Sequence, residues 1–257
     1  MHYWFNMRSV QQFSGLISEL KHSMMTRTNL TIRFLWAITM LLTSSVVVAS
    51  AAPQSLDTEE QRVESRFVPL FSVVTEQLST RQADYLLDPS AYNRFIDANV
   101  KSLWDTSSTT SALIGKTRFK GLTAANKQAL VAAVDNTLLR YAFEGLENYG
   151  GQVFEVVDVA VNKGGTMGWV QVLMESPIIP DLHLDLLIKR TSEGNWSAVD
   201  VRFKGITYVS IKKHEFREII EEQGVTALID SLNNKNRDYF RDICAKAPAT
   251  LKGNAPC

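Results

Sequence analysis

The spacing of the apolar residues changes twice along the chain, and this change constrains the fold more than any other feature. Apolar residues recur every three or four positions before Gly151, alternate with polar residues to about Ser210, and then return to helical spacing. Turn residues such as Lys163-Gly164-Gly165 and Ser192-Glu193-Gly194-Asn195 divide the alternating region into four segments. Helices, four consecutive strands and further helices predict an α+β fold with a curved four-stranded antiparallel sheet wrapped by helices.

One face of the predicted sheet is apolar in strands two, three and four. Such a face is either ordinary core packed under helices or the lining of a pocket for an apolar ligand. The alternation alone leaves both interpretations open. The residues predicted to line the pocket are Val170, Val172, Met174, Leu184, Leu186, Val199, Val201 and Phe203.

The flanking helices are predicted from their apolar stripes and their capping residues. One helix covers 58–82 with a bend at Pro69, a second begins at Asp88-Pro89, and a third runs from Thr123 to Gly150-Gly151. The Ser/Thr-rich segment 106–111 is predicted to be a loop. The buried stripe of the third helix is predicted to comprise Leu130, Val134, Thr137, Leu138, Tyr141, Ala142 and Leu146.

The N-terminal 51 residues resemble a secretory signal peptide. Arg27 and Arg33 precede an uncharged run over 34–48, and Ala49-Ser50-Ala51 provides small residues for cleavage. The run is shorter than the roughly 20 apolar residues that span a bilayer, which favours cleavage over a retained anchor. A start at Met24 or Met25 gives a charged region of ordinary length, and an exported mature chain is expected.

The charge and the cysteines narrow the possible functions. The full chain has 27 basic and 27 acidic residues and therefore no net charge. Removal of residues 1–51 takes away four basic residues and one acidic residue, which leaves a net charge of −3. With no basic block, nucleic acid is an unexpected partner. Cys244 and Cys257 lie in the last 14 residues. In an oxidising compartment they either pair with each other or remain two thiols on a loose tail.

The fourth strand and the residues after it carry a family resemblance. Trp196 and Asp200 stand in a Trp-x-x-x-Asp strand, followed by Gly205-Ile206-Thr207 and a helix. This order resembles the C-terminal signature of the MlaC family, also called the toluene-tolerance family, in which Gly-Val-Ser follows the strand. A second, looser resemblance is the loop and helix start LIGKTRFKGLTAANKQ, residues 113–128.

The resemblance implies a ketosteroid-isomerase-like cone and a phospholipid carrier in the Gram-negative periplasm. It implies a lipid-binding domain over residues 52–240 and a tail over 241–257. The carrier would be the soluble, monomeric component of an ABC-type lipid transport system that maintains outer-membrane asymmetry. Its implied partners are an inner-membrane ABC transporter with an MCE domain and an outer-membrane lipoprotein in complex with a porin. The sequence leaves open the direction of transport and the number of acyl chains that are bound. It also leaves open whether the cargo is a phospholipid, a hopanoid or a sterol-like lipid.

A small-molecule enzyme on the same cone is the first alternative. Asp158, Asp185 or Asp200 could act as a general base if aimed into an apolar pocket, but all three fall on the polar side of their strands. His183 and His214 have the pattern of surface residues. No metal-ligand spacing, cofactor motif or Gly-x-Ser-x-Gly elbow occurs, so the sequence predicts no catalytic residue, no cofactor and no metal site.

A non-lipid interaction module is the second alternative. It would dock through the apolar face of the C-terminal helices, formed by Phe216, Ile219, Ile220, Val225, Leu228, Ile229 and Leu232. The same positions could instead close the cone. Arg118, Lys120 and Lys204 either meet a phosphate headgroup at the pocket mouth or are solvated surface charges.

Overall fold

A computed structural model of the protein describes residues 58–177, 180–248, 253 and 255–257. The predicted signal peptide lies outside these residues. The described chain forms seven α-helices, one 3₁₀ turn (Lys101–Leu103) and five strands. The helices before the sheet are α1 (Glu59–Leu87), α2 (Pro89–Asn99), α3 (Thr106–Ile114), α4 (Lys116–Gly121) and α5 (Ala124–Glu147). The strands are β1 (Val153–Val161), β2 (Met167–Glu175), β3 (Leu182–Arg190), β4 (Trp196–Phe203) and β5 (Ile206–Thr207), and they precede α6 (Tyr208–Gln223) and α7 (Val225–Lys246).

The strands form one open antiparallel sheet in sequence order, β1-β2-β3-β4-β5. The predicted α+β fold is confirmed, and the structure adds the two-residue strand β5 to the four that the alternation predicts. Gly168 shows how closely β1 and β2 approach, since a Cβ at this position would lie 2.5 Å from the carbonyl oxygen of Ala160.

Helix α1 covers one face of the sheet and part of its edge. Its apolar residues Val63, Phe67 and Phe71 pack in one cluster with the strands. The backbone N–H of Phe154, on the edge strand β1, donates to Thr75 Oγ1 at 3.0 Å. Because an exposed strand edge is prone to pairing with other chains, this contact also protects β1. The helix continues through Pro69 and ends five residues beyond the predicted position.

The prediction of a loop over residues 106–111 is wrong, because this segment is part of helix α3. The Asp105 side chain accepts a hydrogen bond from the Ser108 backbone N–H at 2.8 Å and so caps the helix. The Thr109 hydroxyl donates to the carbonyl of Val199 on β4 at 2.6 Å and accepts from the Trp104 indole N–H at 3.0 Å. Tertiary hydrogen bonds therefore hold a segment whose local preference is for turns.

The remaining helix boundaries follow the predicted signals. Asp88 caps α2 through the Ala91 N–H, and Thr123 caps α5 through the Asn126 N–H. Gly224, with φ +87°, separates the two amphipathic helices α6 and α7. Helix α7 continues past the predicted tail boundary to Lys246, and its Cys244 forms a disulfide with Cys257 across a Cα–Cα distance of 5.3 Å.

The buried apolar side chains divide into three clusters. The first lies between α1 and the sheet, the second joins α1, α2, α5 and α7, and the third joins α3, α5, α6 and α7. Phe154 packs against both the first and the second cluster. The buried apolar residues of α5 and α6 belong to the second and third clusters, whose buried members include no residue of the sheet.

Candidate functional site

The predicted pocket residues lie mostly on one face of the sheet, which we call the inner face. Cross-strand pairing aligns Val170 with Leu186 and Leu186 with Val201, and it aligns Leu184 with Phe203. Side chains that are paired across strands point to the same face, so β2, β3 and β4 contribute to a common apolar surface. This surface divides into two halves with different surroundings.

The closed half of the inner face is protein core. Val170, Val172 and Leu186 are buried and pack in the first cluster with residues of α1. The Trp196 indole N–H donates to Glu59 at 3.2 Å, which fixes the start of α1 at this end of the sheet. These three predicted lining residues are therefore packed against protein side chains.

The open half lies at the other end of the same strands. Met174, Leu184, Val201 and Phe203 are partly exposed, although each is a large apolar residue on a sheet face covered elsewhere by helix. Met174 and Leu184 belong to none of the three clusters that the described residues form. An apolar ligand that covered this half would remove their exposed surface from water.

Two features of the inner face were not predicted. Phe154 of β1 extends the partly buried surface beside Met174, its partner on β2. The first strand has a β-bulge between Val156 and Asp158, so its alternation gives no consistent face from sequence. A second irregularity lies in β4, where Leu187 and Ile188 of β3 pair with Asp200 and Ala198. Val199 therefore has no partner on β3, and it breaks the regular alternation that Val201 follows.

The three candidate carboxylates all have structural partners. Asp158 is exposed and accepts from the Gln171 side chain at 2.8 Å. Asp185 is buried and accepts from Arg202 at 2.8 Å, and the Arg202 guanidinium lies 4.0 Å from the Trp169 ring centroid.

The third carboxylate, Asp200, is buried and caps helix α6. It accepts from the backbone N–H groups of Val201 at 2.9 Å and Val209 at 3.2 Å. Burial raises the pKa of this carboxyl, and the hydrogen bonds from these amides oppose that rise. With Asp185 paired to an arginine and Asp200 used as a cap, neither is positioned as a general base.

The basic and histidine candidates are not brought together at one place. Arg118, on α4, pairs with Glu221 of α6 at 2.7 Å, and Lys120 follows it on the same short helix. Lys204 follows β4 at the open end of the sheet, in a left-handed conformation with φ +49°. His183 and His214 are exposed, as their sequence pattern indicates. Of the three basic candidates Arg118, Lys120 and Lys204, Lys204 is the one next in sequence to a residue of the open half, Phe203.

Two surface grooves lie among the helices. One, of about 450 Å³, lies between α1 and α2 and includes Arg81 and Arg94. The other, of about 790 Å³, lies beside α5 and includes Trp104 and Phe119. Neither groove contains any of the eight predicted lining residues. Within the described ranges, no helix combines the length and the apolar character needed to cross a membrane.

Comparisons with known proteins agree with the sequence resemblance. The family model of the MlaC protein matches residues 70–234, from within α1 to within α7. A similar solved structure is that of a phospholipid-binding protein from Ralstonia solanacearum in complex with a phospholipid. The match has a TM-score of 0.58 at 17% sequence identity and covers 71% of this chain and 99% of that chain. It shows that the two proteins share a fold.

Proposed function

The chain belongs to the MlaC family, and on this premise we propose that it is a periplasmic phospholipid carrier. The observation that carries the proposal is the open half of the inner face, where apolar side chains remain partly exposed on a fold shared with a phospholipid-bound protein. A contiguous apolar surface that no protein element covers often marks a site for a ligand or a partner.

Acyl chains would occupy the open half, between Phe154, Met174, Leu184 and Phe203 and the helices that face them. Leu184 and Met174 would exchange water for methylene groups on binding, since neither packs in a protein cluster. Seven of the eight predicted residues thus take two roles, and Val199, at the irregularity in β4, is assigned to neither half. Those of the closed half form the base of the pocket, and those of the open half contact the ligand.

The free energy of moving a lipid from a bilayer to the carrier indicates that the carrier needs partner proteins at the membranes. Burial of about 30 methylenes is worth roughly 24 kcal/mol, at about 0.8 kcal/mol each, but a bilayer provides the same burial. Transfer between bilayer and carrier is therefore close to neutral. Partners that open a path for the lipid would set its rate and direction. We propose the inner-membrane ABC transporter with an MCE domain and the outer-membrane lipoprotein–porin complex as these partners.

Native mass spectrometry of the protein exported from a Gram-negative host tests this function. We expect the mature chain to carry co-purified phospholipid after gentle isolation. The Leu184→Gln variant places an amide in the open half and should lose most of the bound lipid. Leu87→Gln is the matched control, because Leu87 is 64% exposed at the end of α1, and it should retain the lipid. Wild-type protein with a clean apo mass would contradict the proposal.

A further inference from the structure

A buried hydroxyl without a hydrogen-bond partner lies where α6 begins, at the end of the Tyr208 side chain. Within the described ranges, the oxygen of this phenol is buried and makes no hydrogen bond. The side chain as a whole is partly buried and packs against the third cluster. A buried polar group that stays unpaired costs free energy, so such groups are normally satisfied in a folded protein. The missing partner is either a water molecule or a ligand.

The contacts of Tyr208 place it between β4 and α5. Its backbone lies beside β4, because the preceding residue, Thr207, pairs with Arg202 on that strand. The same antiparallel register puts Tyr208 next to Val201, a residue of the open half. The Tyr208 ring reaches α5, where it packs edge to face with Tyr141 at 5.8 Å between the ring centroids. Tyr208 therefore stands at the boundary between the open half and α5.

The face of α5 that meets Tyr208 passes from packed core to open space. Leu138, one turn before Tyr141, packs against the third cluster. Gly145 lies one turn after Tyr141, and a Cβ at Gly145 would meet no other part of the described chain within 4 Å. Tyr141 itself is partly exposed and belongs to none of the three clusters. Its side chain can therefore turn when a ligand enters, as side chains at binding sites commonly do, and give access to the Tyr208 hydroxyl.

The charged groups that act on the Tyr208 phenol are already paired with other residues. These groups are Arg140 and Glu215. Glu215 accepts from the Lys212 side chain at 2.9 Å, and Arg140 pairs with Glu144. Neither group offers an unpaired charge that could hold a phosphate. A buried neutral donor in these surroundings fits a neutral acceptor, because burial of a charge without a counter-charge is costly.

We propose that the Tyr208 hydroxyl donates a hydrogen bond to an ester carbonyl of the bound lipid. The inference rests on the proposed carrier function and names the chemical class of the cargo, a lipid whose acyl chains are ester-linked. Ester carbonyls are the neutral acceptors nearest to the acyl chains, and these chains would lie on the open half beside Val201. A hopanoid or sterol-like lipid without an ester would leave the hydroxyl unpaired, so the site favours a diacyl phospholipid over such lipids.

Competition between an ester lipid and its ether analogue tests this hydrogen bond. The mature protein, freed of co-purified lipid, would be mixed with equal amounts of dipalmitoyl and dihexadecyl phosphatidylethanolamine, which differ in the ester carbonyls. Native mass spectrometry then measures the ratio of the two complexes. We expect the wild type to bind the ester form about fivefold more, the ratio that one net hydrogen bond produces, and Tyr208→Phe to lower this ratio to about one.

Tyr149→Phe is the matched control for this competition. It removes a phenol hydroxyl from a partly buried tyrosine that packs against the second cluster, away from α6. This variant should keep the wild-type preference. The inference is refuted if the wild type shows no preference, if Tyr208→Phe keeps it, or if Tyr149→Phe loses it.

Thermal unfolding of the lipid-free protein separates a ligand partner from a water partner. If the hydroxyl is unpaired until lipid binds, Tyr208→Phe should leave Tm unchanged or raise it, because the change removes an unpaired buried group. A Tm below that of the wild type would show that the hydroxyl is already satisfied without lipid, and would contradict the inference.

The total amount of bound lipid distinguishes this inference from the carrier function. Wild-type protein that binds both lipids equally would refute the hydrogen bond and leave the carrier function standing. Wild-type protein that binds neither lipid would contradict the carrier function, and the inference that rests on it.

Discussion

Thr109 provides the sharpest test of how the helices are attached to the sheet. Its side chain is fully buried, and its hydroxyl links Trp104 to the carbonyl of Val199. Thr109→Val keeps the shape and leaves both groups without this partner. An unsatisfied buried polar group costs about 1–3 kcal/mol. Because Trp104 is partly exposed and water can replace its lost partner, we expect a total loss of about 2–4 kcal/mol in the free energy of unfolding.

Thr110→Val is the matched control for this experiment. Thr110 is equally buried in the same helix, but its hydroxyl bonds only within α3, to the Thr106 carbonyl at 2.8 Å. We expect this change to cost about 1 kcal/mol. Urea unfolding followed by far-UV circular dichroism measures both, with equal m-values as the condition for comparison. The reasoning is refuted if Thr109→Val destabilises no more than Thr110→Val.

Three further predictions concern backbone contact, pH and the disulfide. Gly168→Ala should destabilise by about 1–3 kcal/mol because its methyl group would meet the Ala160 carbonyl. Gly145→Ala, in open space on α5, should be neutral or stabilise by up to about 1 kcal/mol. Thermal unfolding of both glycine variants and the wild type measures these differences. Since the folded pKa of Asp200 is raised, its contribution to stability should fall as pH rises from its unfolded value of about 3.9 through the raised value. Urea titrations of wild type and Asp200→Asn from pH 3 to 7 should therefore show the wild type losing stability relative to the variant, and a constant difference would contradict this. Reduction of the disulfide, with a separation of 13 residues, should lower the unfolding free energy by at most about 3 kcal/mol, and free-thiol titration should find no thiol before reduction.

The sheet was predictable because side-chain alternation and turn chemistry are local signals. Each of the four main strands appears where the alternation places it. The irregularities within β1 and β4 were not predictable, because a bulge depends on how neighbouring strands and helices compete for backbone groups. Val199 is the instructive residue, since its carbonyl bonds to Thr109 of α3 rather than continuing a regular ladder.

The helices show a similar division between local and tertiary causes. Caps such as Asp88 and Thr123 were predictable, whereas the Ser/Thr-rich helix α3 depends on hydrogen bonds to distant residues. Helix α5 buries Leu139 and Phe143, whereas Leu138, Tyr141 and Ala142 of the predicted stripe are only partly buried. Its apolar band is wide enough for several stripes, and packing against both α7 and α3 selects the one that is buried.

The candidate site was predicted as one face and is found as two halves. The alternation predicts the same environment for Val170 and Leu184, because both are apolar residues at alternating positions of a strand. Val170 packs in the cluster that helix α1 forms with the sheet, whereas Leu184 lies outside that cluster. The difference between core and ligand-binding surface is thus set by where a helix packs, which no local pattern in the strands records.

Photocrosslinking tests the central claim most directly. A phospholipid with a diazirine in its acyl tail would be loaded into the mature protein, irradiated and mapped by peptide mass spectrometry. The account predicts labels on β2, β3 and β4 around Met174, Leu184 and Phe203. Labels confined to the grooves that contain Arg81 or Trp104, with none on these strands, would contradict it.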